Sequence, residues 1–201
     1  MIKSIVIIAS GPSLTKKDVT YVEKSGIDIM GVNDAYRICH RLNYLYACDR
    51  RWWHWHYSRI GDLPKKKFSL EKVGYPDVIQ MKDDGPEGLS LEWPKIRHGK
   101  NSGYQAINLA ILLGYNYIVL LGYDMQHTGG KVHWFGDHPQ PLNNAPKERI
   151  KTWIGVYNDL ATLLPRNIKI INATRKTALT CFKRMSLRKA LDGYDVKHMS
   201  R

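Results

Sequence analysis

The sequence predicts an α/β fold: one domain on a mainly parallel, doubly wound sheet with helices on both faces. Three apolar runs in the first fifty residues each end in polar residues. Lys3 to Ala9 runs into Ser10 and Ser13, Ile27 to Val32 into Asn33 and Asp34, and Tyr44 to Cys48 into Asp49. Repeated strand–turn–helix units with polar strand ends are the pattern of such a sheet. Further on, Lys100 to Gln126 compresses a loop, a helix, a turn, a strand and a second polar loop into one stretch. The chain has 201 residues, 43% of them hydrophobic and 24% charged, which fits one globular domain with a sizeable core.

Taken in order, KSIVIIA is β-branched and apolar, so it reads as the first, central strand. The run is short and passes straight into a glycine turn, which favours a buried strand over a signal peptide. Ser10-Gly11-Pro12-Ser13 turns the chain. Leu14 to Lys24 is a helix capped by Ser13 or Thr15. Ile27 to Val32 is the second strand, Tyr36 to His40 a short helix and Tyr44 to Cys48 the third strand. Arg50 to Arg59 (RRWWHWHYSR) has two readings. Its rings can stack on bases or sugars, or Trp52, Trp55 and Tyr57 form the buried face of a helix, with at least one Trp in the core. Gly61 to Pro76 is basic and broken by Pro and Gly, hence a loop. Asp77 to Met81 is a further strand, and Lys82 to Lys100 is irregular.

Asn101-Ser102-Gly103 is a helix start, since Asn and Ser can accept from the first free N–H groups. Tyr104 to Leu113 is apolar on most faces, so that helix is largely buried, and Gly114 stops it. Tyr117 to Leu121 suits a strand covered on both faces. It ends at Gly122-Tyr123-Asp124, the strand end at which open parallel sheets bind ligands. His127 to Pro146 is a polar loop. Glu148 to Leu164 is an amphipathic helix, Asn167 to Asn172 a last strand and Ser186 to Leu191 a short helix, with the final ten residues frayed. Residues 1–175 are expected to form the Rossmann-like domain, and 176–201 a basic C-terminal segment with a short helix.

The formal net charge is +13, which favours anionic partners: nucleic acid, phosphorylated small molecules or anionic lipid. Nearly half the excess lies between Arg175 and Arg201, where eight Lys/Arg face two Asp. No apolar run reaches the roughly 18 residues of a membrane span. Cys39, Cys48 and Cys181 are too few and too scattered for a disulfide framework or metal knuckle, so reduced thiols and a cytoplasmic setting are expected.

The turn SGPSL lacks both the dinucleotide and the P-loop glycine spacing. It still places a glycine, a hydroxyl and free N–H groups at a strand–helix junction, which suits a phosphate as well as a plain capped turn. Asn33, Asp34 and Asp49 fall at neighbouring strand ends. Asn can read a base or ribose, and Asp can hold a ribose hydroxyl or a metal. KVHWFGDHP (Lys131 to Pro139) is the densest cluster of reactive types. His133 and His138 are five apart with Gly136 between them, so they do not share a helix face. An acid/base or phosphate-contacting role leads. A zinc site would need Asp124, His127 or Asp137 as well, and purely structural hydrogen bonds are the bland reading.

GPSL after the first strand, Asn33-Asp34 after the second, Asp49 after the third, then NSGYQAINLAILLGYNYIVLLGYDM and GKVHWFG, together resemble the DUF115 group. That group includes the motility-associated-factor glycosyltransferases and the MptE-like 6-hydroxymethylpterin diphosphokinases. The motif order also resembles the CMP-sialic acid sialyltransferases of glycosyltransferase family 42. The likeness covers roughly Ile2 to His138. Small phage and prophage proteins resemble the pattern too, and the ending INATRKTALTCFKRMSLRKAL is similar to theirs.

The resemblance implies a Rossmann-like sheet binding a nucleotide or nucleotide-sugar of CMP, UDP or GDP type. Gly11, Pro12 and Ser13 then face phosphate or ribose, with Asn33, Asp34 and Asp49 beside them. Asn101, Ser102 and Gly103 hold the nucleotide at the helix start. Asp124 matches the acid of the Gly-x-Asp motif, and His133 or His138 the catalytic histidine. Only Met125 to Val132 separates Asp124 from His133, where the sialyltransferases carry a long lid, so the spacing is closer to the motility-factor pattern. The implied activity is His-assisted sugar transfer from a nucleotide donor to an acceptor hydroxyl. No cofactor is required for it, and Mg²⁺ or Mn²⁺ is compatible with it. The acceptor is anionic, with nucleic acid among the candidates. The setting is the cytoplasm, or the host cytoplasm for a phage-encoded chain. The alternatives are pyrophosphoryl transfer from ATP to a pterin-like alcohol and a non-enzymatic, basic nucleic-acid or virion-associated binding protein.

Overall fold

The computed structural model describes residues 2–198. In chain order the elements are β1 (Ser4–Ile8), α1 (Lys16–Lys24), β2 (Asp28–Val32), a 3₁₀ turn (Asn33–Arg37), β3 (Tyr44–Tyr46), α2 (Arg50–Ile60), β4 (Lys66–Ser69), β5 (Val78–Gln80), β6 (Lys82–Asp83), β7 (Lys95–Ile96), α3 (Ser102–Leu112), β8 (Tyr117–Leu121), α4 (Lys147–Leu163), β9 (Lys169–Asn172), β10 (Lys183–Arg184) and α5 (Leu187–His198).

Eight strands make one sheet in the order β10-β9-β8-β1-β2-β3-β4-β5, and every pairing described in it is parallel. The chain leaves β1 towards β2 and returns to its other flank at β8. The junction of β1 and β8 is therefore the point where the winding reverses, and open α/β sheets bind ligands outside it.

Strand alternation divides the interior in two. Val6, Ile8, Val119 and Leu121 pack with Val19 and Val22 of α1, Trp52 and Trp53 of α2 and Leu191 of α5. Ile5, Ile7, Ile118 and Leu120 pack with α3 and with Tyr157 and Leu160 of α4. Helices thus cover both faces, as the continuous apolar strands require. Each such side chain, fully buried, stabilises the fold by about 1.5–3 kcal/mol. In α3 every residue from Gly103 to Ile111 is buried, in line with its lack of a polar face. Thr15 caps α1 in a reciprocal box with Asp18, so Thr15 rather than Ser13 is the cap.

Several expectations need correction. Gly61 to Pro76 is not all loop, because Lys66–Ser69 is β4, paired between β3 and β5. Its basic residues are tolerated because Lys67 Nζ meets Asp77 at 2.7 Å while Phe68 is buried. The short helix begins at Asn33, which takes a left-handed φ of 50°, and ends at Arg37 instead of running from Tyr36 to His40. Lys82 to Lys100 contains the small β6–β7 pair. Trp52 and Trp53 carry the buried face of α2, while Trp55 and Tyr57 are only partly covered.

The boundary expected at 175 falls between β9 and β10. The basic segment beyond it adds β10 to the sheet and buries Leu179, Phe182, Ala190 and Leu191. Its helix extends to His198, beyond Leu191. The fraying expected of the last ten residues lies outside the described residues for 199–201. Among the described residues no helix is long and apolar enough to cross a membrane.

Candidate functional site

The sequence-predicted residues gather along the carboxyl edge of the sheet, in three groups. At the end of β1, Ser13 donates to Asp124 from both its backbone N–H and its hydroxyl, each at 2.9 Å, and Thr128 adds a third bond at 3.2 Å. Asp124 is 2% exposed. Burial pushes its carboxyl above the usual range, and the bonds from Ser13 and Thr128 oppose that. Gly11 is required here, since a Cβ would overlap the Asp124 carboxylate and the Gly122 carbonyl. Pro12 is half-buried in the same turn. Asp124 is thus the brace that shapes the turn after β1.

The second group surrounds Asp34, which is 1% exposed at the end of β2. Arg37 donates to Oδ1 and Trp52 Nε1 to Oδ2, each at 3.0 Å. His56 Nε2 and His138 Nδ1 approach the same carboxylate at 3.8 and 3.9 Å, too far for a hydrogen bond. Both nitrogens are buried without a hydrogen-bond partner, as is Asn33 Oδ1. His133 Nδ1 pairs with Ser10 Oγ at 3.0 Å, and the rings of His133 and His138 lie 4.7 Å apart. Burial is the first cause holding all three imidazoles below their ordinary pKa. His133 and His56 are pushed down to about 4, and His138 moves in the same direction against the pull of Asp34. All three are neutral near pH 7, and a neutral imidazole can take a proton.

The third group is the start of α3. Asn101 Oδ1 accepts from the Tyr104 N–H at 3.1 Å and from the Tyr157 hydroxyl at 2.8 Å. The amides of Ser102 and Gly103 are first-turn donors with no intrahelical partner. A side chain on Gly103 would press on Tyr123 and Tyr157. Tyr123 links the groups: its hydroxyl donates to the Gly103 carbonyl at 3.0 Å, and the next residue is Asp124.

Asp49 stands apart. It precedes α2 and makes no side-chain cap. Water reaches it, yet it sits among protein atoms whose desolvation, followed by the Glu71 charge, pushes its carboxyl up. Among the described residues no group of three or more His, Cys, Asp or Glu is disposed to hold a metal ion, so a zinc reading of the His loop finds no ligand set.

No family model and no curated protein matches the chain. Among solved structures it is similar to the MAf glycosyltransferase from Magnetospirillum magneticum AMB-1, with a TM-score of 0.63 at 10% identity. The fold is similar to a glycosyltransferase's. The match covers 98% of this chain and 37% of that one, so the chain spans well under half the length of that enzyme.

Sequence reasoning missed the residues that enclose Asp34. Trp52 and His56 lie one helical turn apart on α2 and stack at 4.6 Å, and Tyr36 reaches His56 Nδ1 at 2.8 Å. The i, i+4 spacing of Trp52 and His56 was a usable signal, because it puts both on the face of α2 that meets the end of β2.

Proposed function

We propose that the chain is a nucleotide-sugar-dependent glycosyltransferase. Its donor nucleotide lies at the carboxyl edge, where β1, β8 and the start of α3 meet, and His138 takes the acceptor's proton. The observation that carries this is His138 facing the buried Asp34 across 3.9 Å at the carboxyl edge of a fold similar to a glycosyltransferase's; the first-turn amides of α3, which have no intrahelical partner, lie at the same edge.

The acceptor hydroxyl oxygen attacks the anomeric carbon. Its proton passes to His138 Nε2, the nitrogen on the far side of the ring from Asp34. The bond from the anomeric carbon to the phosphate oxygen breaks, and its electron pair leaves with the nucleotide. The Ser102 and Gly103 amides, at the positive end of the α3 dipole, stabilise that charge. Asp34 stabilises the imidazolium that forms. Asn33, partly exposed at the end of β2, reads the base or ribose, and the turn at Gly11 to Ser13 borders the phosphates. His133, bonded to Ser10, fixes the loop that carries His138. The net positive charge favours an anionic acceptor.

The test is consumption of CMP-, UDP- and GDP-sugars by the full chain. One donor class is turned over, and His138→Ala slows it by about 10²–10⁴-fold with nucleotide affinity unchanged. Failure to bind or consume any of the three classes would remove the proposal.

A further inference from the structure

We propose that the recess between α1, the 3₁₀ turn and Trp134 is an acceptor subsite for a sugar carrying an anionic group, a proposal that rests on the glycosyl-transfer reading above. The recess has a volume of about 410 Å³ and is lined by Leu14, Lys16, Arg37, Ile38, His40 and Trp134. That lies within the span of about 300–1,000 Å³ typical of small-molecule sites.

The lining combines an indole face and two aliphatic side chains with two cations. Aromatic and aliphatic surface suits the C–H face of a pyranose, and the cations suit a phosphate or carboxylate on it. Arg37 is held in place: it donates to Asp34 at 3.0 Å and lies 4.9 Å over the Phe135 ring and 5.7 Å over that of Trp134. Its side chain remains 42% exposed, so part of the guanidinium faces water. Lys16 is exposed at the first position of α1, with no carboxylate partner among the described residues. The nearby acids are engaged, Asp34 by Arg37 and Trp52, and Glu23 by the His40 N–H at 2.7 Å. Trp134 is fixed by its backbone N–H to the Ser10 carbonyl at 3.1 Å, and its Nε1 is buried with no partner.

The position points to the acceptor. Trp134 and His138 share one loop, and Arg37 bonds the carboxylate that faces His138. The recess is on the α1 side of the sheet, while the proposed nucleotide anchor is on α3, on the other side. Arg37 thus ties the recess to the carboxylate that faces the proposed base.

The test is calorimetric titration of the full chain with glucose 6-phosphate, glucuronate, glucose and inorganic phosphate, and separately with nucleotides. At least one anionic sugar binds, about tenfold or more tighter than glucose or phosphate alone, and the tighter of the two names the anion. Lys16→Glu weakens it by about tenfold. The variant stays folded, because an acid in the first turn suits the helix dipole, and its nucleotide affinity is unchanged. Trp134→Ala weakens the anionic sugar as well. Glucose or phosphate binding as well as the anionic sugars, or an unchanged affinity in Lys16→Glu, overturns the subsite. Nucleotide binding without sugar binding removes the subsite alone, whereas absence of nucleotide binding removes the reading beneath it.

Discussion

Asp34 Oδ2 and His138 Nδ1 face each other across 3.9 Å, with the carboxylate already holding Arg37 and Trp52 at 3.0 Å. Burial lowers the His138 pKa and the Asp34 charge raises it, with burial the larger. His138 therefore titrates below its ordinary value, and the acid limb of kcat/KM is expected below about pH 6.5. Asp34→Asn removes the charge that favours the imidazolium, so the limb moves to lower pH while the rate on the plateau falls. A limb at or above the ordinary imidazole value would contradict the assignment of His138 as base.

Stability should follow pH through the same imidazoles. His133 and His56 titrate at about 4 in the folded chain, depressed first by burial. In the unfolded chain they titrate near 6.5. Between those values the unfolded state binds more protons, so stability falls as pH falls. The contribution is complete above about pH 6.5 and is lost as the pH drops towards 4. Urea midpoints near pH 7 and about pH 5 measure it, and the midpoint near pH 5 is expected to be lower.

Asp124→Ala should destabilise the fold by about 2–3 kcal/mol, because it strands the buried Ser13 amide and leaves the Ser13 hydroxyl only its longer contacts to the Lys176 backbone. Gly11→Ala should cost about 2 kcal/mol or more, since its Cβ would overlap the Asp124 carboxylate and the Gly122 carbonyl. Both are read from urea unfolding. Loss of activity in an Asp124 variant therefore reports on catalysis only where the unfolding midpoint is unchanged.

Asn101→Ala removes the cap of α3 and the acceptor of the Tyr157 hydroxyl. The expected loss is about 1–2 kcal/mol, with Asn101→Asp nearer to wild type because Asp also caps. Thermal unfolding of the two variants side by side distinguishes this cap role from a direct contact with ligand, which would leave the midpoint of Asn101→Ala unchanged.

β1, β2, β8 and β9 were legible in the sequence because each is an apolar run ended by a local signal. α3 was legible because Asn101 caps it and Gly114 ends it. β4 and β10 were not, because KKFS and Lys183-Arg184 carry no strand signal of their own. Pairing with β3 and β5 in one case and with β9 in the other makes them strands. The candidate site divided in the same way. Residues at strand ends could be listed from pattern alone, but not their partners. Ser13 spends its hydroxyl on Asp124, and Trp52 and His56 turn towards Asp34 from a helix that read mainly as core. Ser13 and Asp124 lie 111 residues apart, so no local spacing encodes their pairing; the i, i+4 spacing of Trp52 and His56 marks their shared face but not the carboxylate it meets.

The most direct test of the central claim is calorimetric titration of CMP, UDP and GDP against wild type and Ser102→Asp. An acid at the first position of α3 suits the helix dipole and leaves the fold intact, but it repels a phosphate at the first-turn amides. Wild type is expected to bind one nucleotide class, and Ser102→Asp to lose at least about tenfold in affinity at an unchanged unfolding midpoint. Equal affinity in the two proteins, or no binding to wild type, would contradict a nucleotide site at the carboxyl edge of the sheet.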